Sequence, residues 1–494
     1  MARKKKSRAA RSTSQRRGWT PAKYSHADQF LKLQRWLLPD ERIFANLRRH
    51  GNTGWLASHL VWLALCWSWS ECTHVTDAFV QAAEWCRLIC GETPLTTYQG
   101  FMHAMIRWTD PLLPVLWSVL HLRMEEIAGR FWSVGDWVPI AFDGSRSTAP
   151  RSESNERTLC APNYGNGQTA KYRKKKSKGM RRKKNEKNKP QPQEPQAWIT
   201  LLWHMSLRLP WMWKLGPSNA SERAHVMEML DEGDFPKNTL FCGDAGFVGY
   251  PLWAQIAGRG LSFLVRIGAN VTLLTERTDC FISRQGSLVL CWPLTAQKGS
   301  LPALRLRLVK VQIGRQWMWM LTNVLEPSRL TSDQIVKFYK MRWGIEIEFR
   351  GLKQTLDRAK LRCRNGQRLL VELHWSLLAM AVAELFALKE QLAATSKSNA
   401  KTPPANPKKR SLANTVRAIR YCLLHLNDLS EASADLRSRL RRAVTDNYVR
   451  TSSKRARYCP SNPDKKPLGG PKIRKLTVGE RKRLGRLTSM KFAA

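Results

Sequence analysis

The sequence predicts an α/β fold, a mixed sheet flanked by helices, with helical parts on both sides of it. Three observations predict it. Two short apolar runs, WVPIAFDG at 137–144 and NTLFCGDAGF at 238–247, each end on an Asp beside a Gly, the mark of a buried strand stopping at a turn. Strand-type and helix-type segments alternate between 131 and 360, a layered α/β pattern. From about 270 to 326 the patterning is β-like throughout, in VTLL, GSLVLCWPL, LRLRLVKVQI and WMWMLTNV.

Taken in chain order, residues 1–25 read as a disordered basic arm. Residues 26–130 read as a Trp-rich helical domain; its most apolar stretch, Leu56 to Trp69, is too short for a membrane span and reads as a buried helix. After the strand at 137–144 comes a low-complexity loop, 163–196, with twelve Lys or Arg between 171 and 189. Such a segment is solvated when unbound. AWITLLWHMSLRLPWMWKLGP (197–217) reads as β structure with a hairpin turn at its Leu-Pro. SNASERAHVMEML (218–230) starts a helix capped by Ser218 or Ser221. FVGYPLWAQIAG reads as a helix and LSFLVRI (261–267) as a strand. Thr331-Ser332-Asp333 caps a helix running through 357, and another runs from about 368 to 394. Residues 395–411 read as a linker, 412–447 as a small basic helical segment, and the remainder as a basic tail. The domains are then 1–25, 26–130, a catalytic unit at 131–360 holding a basic loop at 163–196 and a β-rich part at 268–328, and a helical region at 361–494.

Charge narrows the partner. The 494 residues carry 83 Lys and Arg against 38 Asp and Glu, a net +45. A charge of that size attracts a polyanion, and nucleic acid is the leading partner. An anionic membrane surface ranks second, but no segment reads as a span. The eleven cysteines are scattered, mostly in apolar runs, with no zinc-type spacing, and read as buried reduced thiols.

The chemistry rests on acids. Asp143 and Asp244 each stand at the C-terminal end of a strand, where α/β sites lie if the strands are neighbours. Alone, each also reads as a turn residue. A third acid comes from FYKMRWGIEIEFRGLKQTLD at 338–357. At about 100° per residue, Tyr339, Arg342, Glu346 and Lys353 share an arc of about 60° beside the apolar stripe. Glu348 falls on the far side of that stripe, as a solvated partner for neighbouring cations. Three carboxylates in a basic protein suit hard divalent cations, and two ions roughly 3.5–4 Å apart can activate a water and stabilise a leaving oxygen in phosphodiester cleavage.

Tyr339, Arg342, Glu346 and Lys353 match, without gaps, the Tyr-(2)-Arg-(3)-Glu-(6)-Lys signature. With Asp143 in FDGSR and Asp244 in GDAGF, the chain resembles the DDE transposases of bacterial insertion sequences, over roughly 130–360. The resemblance implies an RNase H-like fold with a β-rich insertion before the Glu. It implies Asp143, Asp244 and Glu346 as catalytic residues holding two Mg²⁺ ions, with Mn²⁺ as a substitute. It implies cleavage at transposon ends, often through a hairpin intermediate, and strand transfer into target DNA by a homodimer on paired ends. Tyr339, Arg342 and Lys353 would contact phosphates near the cleaved end. Trp292, Trp317 and Trp319 are the insertion's candidates for supporting a flipped base, with ordinary packing as the alternative.

A bacterial, cytoplasmic, nucleoid-associated protein is expected, and no membrane partner. Arg173, Lys174, Lys175, Arg181 and Arg182 in the basic loop are candidate contacts to target or flanking DNA; a tolerated surface insertion is the other reading. Two further functions stay open: an RNase H-fold nuclease or resolvase, and a non-catalytic DNA-binding protein derived from a transposase.

Overall fold

The computed structural model describes residues 24–47, 54–160, 194–276, 285–314, 316–396, 406–430, 434–445 and 469–491. The basic loop up to residue 193, with Arg173, Lys174, Lys175, Arg181 and Arg182, lies outside them, as does the arm up to residue 23.

The N-terminal part is helical, as its patterning predicts. Strand β1 (Tyr24–Ser25) leads into α1 (His26–Leu37), α2 (Ala57–Trp69), α3 (Val75–Cys90) and α4 (Tyr98–Ala128). Helix α2 is buried on all sides, which is why its sequence is apolar all round. The chain then enters the sheet through β2 (Val138–Thr148), followed by α5 (Glu153–Leu159), β3 (Gln196–His204), β4 (Leu209–Gly216) and α6 (Glu222–Glu232). Next come β5 (Thr239–Gly243), α7 (Tyr250–Gly258), β6 (Ser262–Ile267), β7 (Thr272–Thr275), β8 (Ser287–Cys291) and α8 (Leu294–Lys298). Strands β9 (Leu304–Ile313) and β10 (Gln316–Thr322) precede α9 (Ser332–Arg342), α10 (Gly344–Gln354) and α11 (Gly366–Ser396). The chain continues through α12 (Leu412–Leu424), β11 (Leu429–Ser430), α13 (Leu436–Arg441), β12 (Lys472–Lys475) and α14 (Val478–Lys491).

Ten of the strands form one mixed sheet in the order β12-β7-β8-β9-β10-β6-β5-β2-β3-β4. Strands β2, β5 and β6 run parallel; β3 pairs antiparallel with β2, and β4 pairs antiparallel with β3 and so returns to the direction of β2. Parallel strands are covered on both faces, so β5 reads as an unbroken apolar run and is buried throughout. Helix α6 packs on β2, β3 and β4, and α7 on β6; α9 packs on β5 and β9, and α10 on β2. Helix α11 lies at the centre of the helical layer, against α2, α4, α12 and α13. It is long and apolar enough to cross a membrane, but 89% of that window is buried inside the protein. Most of the cysteines among the described residues are buried.

Several sequence expectations are corrected. Strand β2 does not stop at Asp143: its pairing with β5 ends at Ala141–Cys242, but its pairing with β3 continues to Thr148. The β3–β4 turn lies at 205–208, with Arg208 in the left-handed region at φ 58°, and Pro210 sits within β4. That strand is a sheet edge, where a missing N–H is tolerated. The helix expected through 357 breaks at Trp343 into α9 and α10. The β-rich part is no separate layer: β10 pairs directly with β6 and extends the same sheet. Residues 24–25 of the expected arm pair with β11. The expected tail supplies β12, parallel to β7 at the opposite edge, and α14, whose Glu480 accepts from Gln297 Nε2 at 3.1 Å. The end of the expected linker is also built in. Arg410 is buried, pairs with Glu384 at 3.4 Å and donates to the Leu207 carbonyl at 2.9 Å.

Candidate active site

Strands β2 and β5 are adjacent and parallel, so Asp143 and Asp244 emerge at the same edge of the sheet. Asp143 lies two residues beyond Ala141, the last β2 residue paired to β5; Asp244 follows the last residue of β5. Each carboxylate is set by a local hydrogen bond. Gly144 N–H donates to Asp143 Oδ1 at 2.9 Å, and Gly246 N–H donates to Asp244 Oδ1 at 2.7 Å.

Arg342 joins the third acid to the first. Its Nη1 donates to Asp143 Oδ2 at 3.3 Å, and its Nη2 lies 3.7 Å from Glu346 Oε1. The guanidinium is buried, the Asp143 side chain is largely so, and Glu346 is exposed. Arg342 closes α9 and Glu346 lies in the first turn of α10, so the break at Trp343 falls between them. Close packing marks the break. A Cβ at Gly344 would lie 2.1 Å from the ring of the buried Trp203 on β3.

The remaining signature residues are placed unequally. Tyr339 is buried, with the Arg342 guanidinium 5.5 Å from its ring centre. Lys353 is half-buried, and burial pulls its ammonium pKa down. Arg342 Nε is buried without a hydrogen-bond partner among the described residues. Of the three tryptophans, Trp292 is buried and Trp319 half-buried, but Trp317 is 60% exposed, with Lys310 Nζ 5.1 Å from its ring centre.

Glu348 corrects a sequence expectation. It is not solvated but buried on α10, and shares a hydrogen bond with the Glu384 carboxyl of α11. Burial, and then the Glu384 charge, raises its pKa well above the ordinary carboxylate value, against the pull of Arg410 and Arg208.

Sequence reading missed one acid here. Glu222, the first residue of α6, lies beside the two aspartates. Burial pushes its pKa up to about 7, with the charges of Asp143 and Asp244 adding to the rise and Arg146 opposing it. The signal that could have found it is its place one residue after the cap Ser221, at the mouth of the helix that follows β4. Burial likewise raises Asp143 to about 6, aided by Asp244 and Glu346 and opposed by Gly144 N–H and Arg342.

The donor set tests the implied Mg²⁺. All the acids offer hard carboxylate oxygens, and two of them are held up in pKa by burial and mutual repulsion, which a divalent cation would relieve. Among the described residues no three His, Cys, Asp or Glu side chains stand close enough together to hold an ion as they are. The positive charge between Asp143 and Glu346 is Arg342. The fit is therefore one of donor chemistry.

A comparison with curated proteins finds no match. Among solved structures, the chain is similar to a piggyBac transposase in a cryo-EM structure of its synaptic complex with hairpin DNA. The identity is 11%, over 85% of this chain and 86% of that one, and the TM-score of 0.36 is too low to carry an argument. A family described as the transposase DDE domain matches residues 140–382, running past residue 360 into α11. The matched span holds Asp143, Asp244, Arg342 and Glu346.

Proposed function

We propose that the protein is a DNA transposase that cleaves at transposon ends and joins them to target DNA, with Asp143, Asp244 and Glu346 as its catalytic acids. One observation carries the reading. Two aspartates sit just beyond the point where the parallel strands β2 and β5 stop pairing, and Arg342 ties the first of them to Glu346. The order β6-β5-β2-β3-β4, in which only β3 runs against the other four, supports the RNase H-like form of the fold.

Asp143, Asp244 and Glu346 would hold two Mg²⁺ ions, or Mn²⁺ in their place. Such ions, when bound, polarise the phosphoryl group and generate the attacking oxygen nucleophile. The chain's own residues do the rest. Below about pH 6 Asp143 keeps its proton. Arg342 presents a planar cation with an unpaired Nε, suited to a phosphate by its fork of donors. The ring of Tyr339 backs that guanidinium, so Tyr339 acts through Arg342. Lys353 adds charge one helical face along, and the exposed Trp317 offers a ring for an unpaired base. The net +45 gives the long-range attraction to DNA. A homodimer on paired ends, acting on nucleoid DNA in a bacterial cytoplasm, completes the reading.

The test is incubation with Mg²⁺ and a DNA bearing the inverted repeats that bracket the reading frame. Ends excised and joined to a target plasmid are the expected products. Asp143→Asn, Asp244→Asn and Glu346→Gln should each reduce them to background. Scattered nicking without joining would identify a nuclease or resolvase instead. Binding without any Mg²⁺-dependent cleavage would identify a DNA-binding protein.

A further inference from the structure

We propose that Glu222 is a fourth carboxylate of this site, a ligand for the divalent cation, for which the glycines after the two aspartates make room. The proposal rests on the reading of Asp143, Asp244 and Glu346 as the cation-holding acids.

The geometry starts from β2. Successive strand residues point to opposite faces. Asp143 turns toward Arg342, so the bare side of Gly144 faces the other way, toward α6. A Cβ on Gly144 would lie 2.1 Å from Glu222 Oε1, so the Glu222 carboxylate occupies the space that a side chain at this position would need. The second glycine is Gly246, in the turn after Asp244. A Cβ there would lie 3.0 Å from Asp244 Oδ1 and 4.0 Å from Glu222 Oε2. The Glu222 carboxylate thus reaches from the backbone beside Asp143 to the turn that holds Asp244.

An ordinary explanation exists for a glutamate at this position. An acid in the first turn of a helix is stabilised by the helix dipole. That accounts for the residue type, but not for a half-buried carboxylate lodged against a strand glycine when the next residues of the helix reach solvent. Nor is Glu222 there for an ion pair: among the described residues, no hydrogen bond or salt bridge holds its carboxylate. The nearest cation acting on it, Arg146, is stacked on Trp198 at 4.0 Å and donates to Gln196 at 3.4 Å. Carboxylate oxygens without a protein partner, beside two aspartates that already bind hard cations in the reading above, are what a divalent ion coordinates. A fourth negative charge also favours the cation over the water around it by electrostatics alone.

The test is Mn²⁺ binding to the full-length protein without DNA, by calorimetry and by the rise in melting temperature at saturating Mn²⁺. Glu222→Gln keeps the shape and removes the charge. It should weaken Mn²⁺ binding about tenfold or more and abolish most of the thermal rise. Glu228→Gln, on the same helix but paired with Lys214 at 2.6 Å, should bind Mn²⁺ as the wild type does. Wild-type Mn²⁺ affinity in Glu222→Gln, with affinity lost in Asp143→Asn, overturns this proposal and leaves the acid triad standing. Wild-type affinity in Asp143→Asn overturns the cation-site reading itself. If Glu222→Gln lowers the melting temperature of the metal-free protein, Glu222→Asp carries the test, since it keeps the charge and withdraws it by one methylene. Weaker Mn²⁺ binding in that variant supports the proposal, and unchanged binding overturns it.

Discussion

Glu346 and Glu348 are two residues apart on one helix and live in different media. Glu346 meets solvent and Arg342; Glu348 is buried against Glu384. Glu348→Gln should therefore fold as well as the wild type and keep DNA cleavage, since a neutral amide replaces a carboxyl that holds its proton. Glu348→Ala should cost about 3 kcal/mol, by leaving Glu384 and Arg410 with an unfilled, unbalanced pocket. A pH series separates the two states further. The folded-state pKa of Glu348 lies well above the ordinary 4.5. Its share of stability is then full below the unfolded value and is lost as pH rises through the folded one. Between pH 5 and 8 the melting temperature of Glu348→Gln should fall less than that of the wild type; parallel curves would sink this account. The aspartates and Glu346 were legible because apolar runs and a fixed spacing announce them. Glu348's burial was not, because the residues that receive it, Arg208, Glu384 and Arg410, come from distant parts of the chain. Glu222 was missed for a related reason: its neighbours are glycines, and what matters about them is the side chain they lack.

At the scale of elements, periodicity found nearly every helix and strand and misjudged where several end. A helical wheel treats 331–357 as one straight rod. The chain instead breaks at Trp343, beside Gly344, where the ring of Trp203 from the sheet leaves no room for a Cβ. That contact joins residues 141 positions apart and leaves no local trace. Strand β2 outruns its Asp-Gly for a similar reason: β3 keeps pairing with it after β5 has stopped. Gly344→Ala should accordingly cost about 2 kcal/mol through overpacking and misplace Glu346 relative to Arg342. Thermal melts and end-cleavage rates check both effects. An alanine variant with the wild-type melting temperature and rate would show that the ring can step aside.

For the whole molecule, composition gave the class and pointed to a polyanionic partner, but not how the parts close on one another. Helix α11 reads as an ordinary apolar helix and turns out to anchor the N-terminal helices, the β4 edge and the C-terminal helices together. Its Glu390 takes Arg437 at 3.1 Å and Arg441 at 3.3 Å from α13. The sequence KIRK, four residues and three of them charged, carries no strand signal, yet it caps the sheet, because the open edge of β7 supplies its register. Edge strands left bare invite pairing with other chains. Deleting residues from 469 onward should lower soluble yield and give concentration-dependent aggregates on size exclusion. A truncated protein that stays monodisperse and melts with the wild type would refute this role.

The late position of β12 also sets a schedule. Strand β7 is made first and waits for roughly 200 residues of further synthesis before its partner exists, on the order of ten to forty seconds at translation rates. Over that interval the strands β2 and β5 that carry the two aspartates are complete and the sheet beside them is still open at one side. The acids can thus be in place before the molecule is sealed, and a nascent chain spends its most adhesive moments close to the message that encodes it.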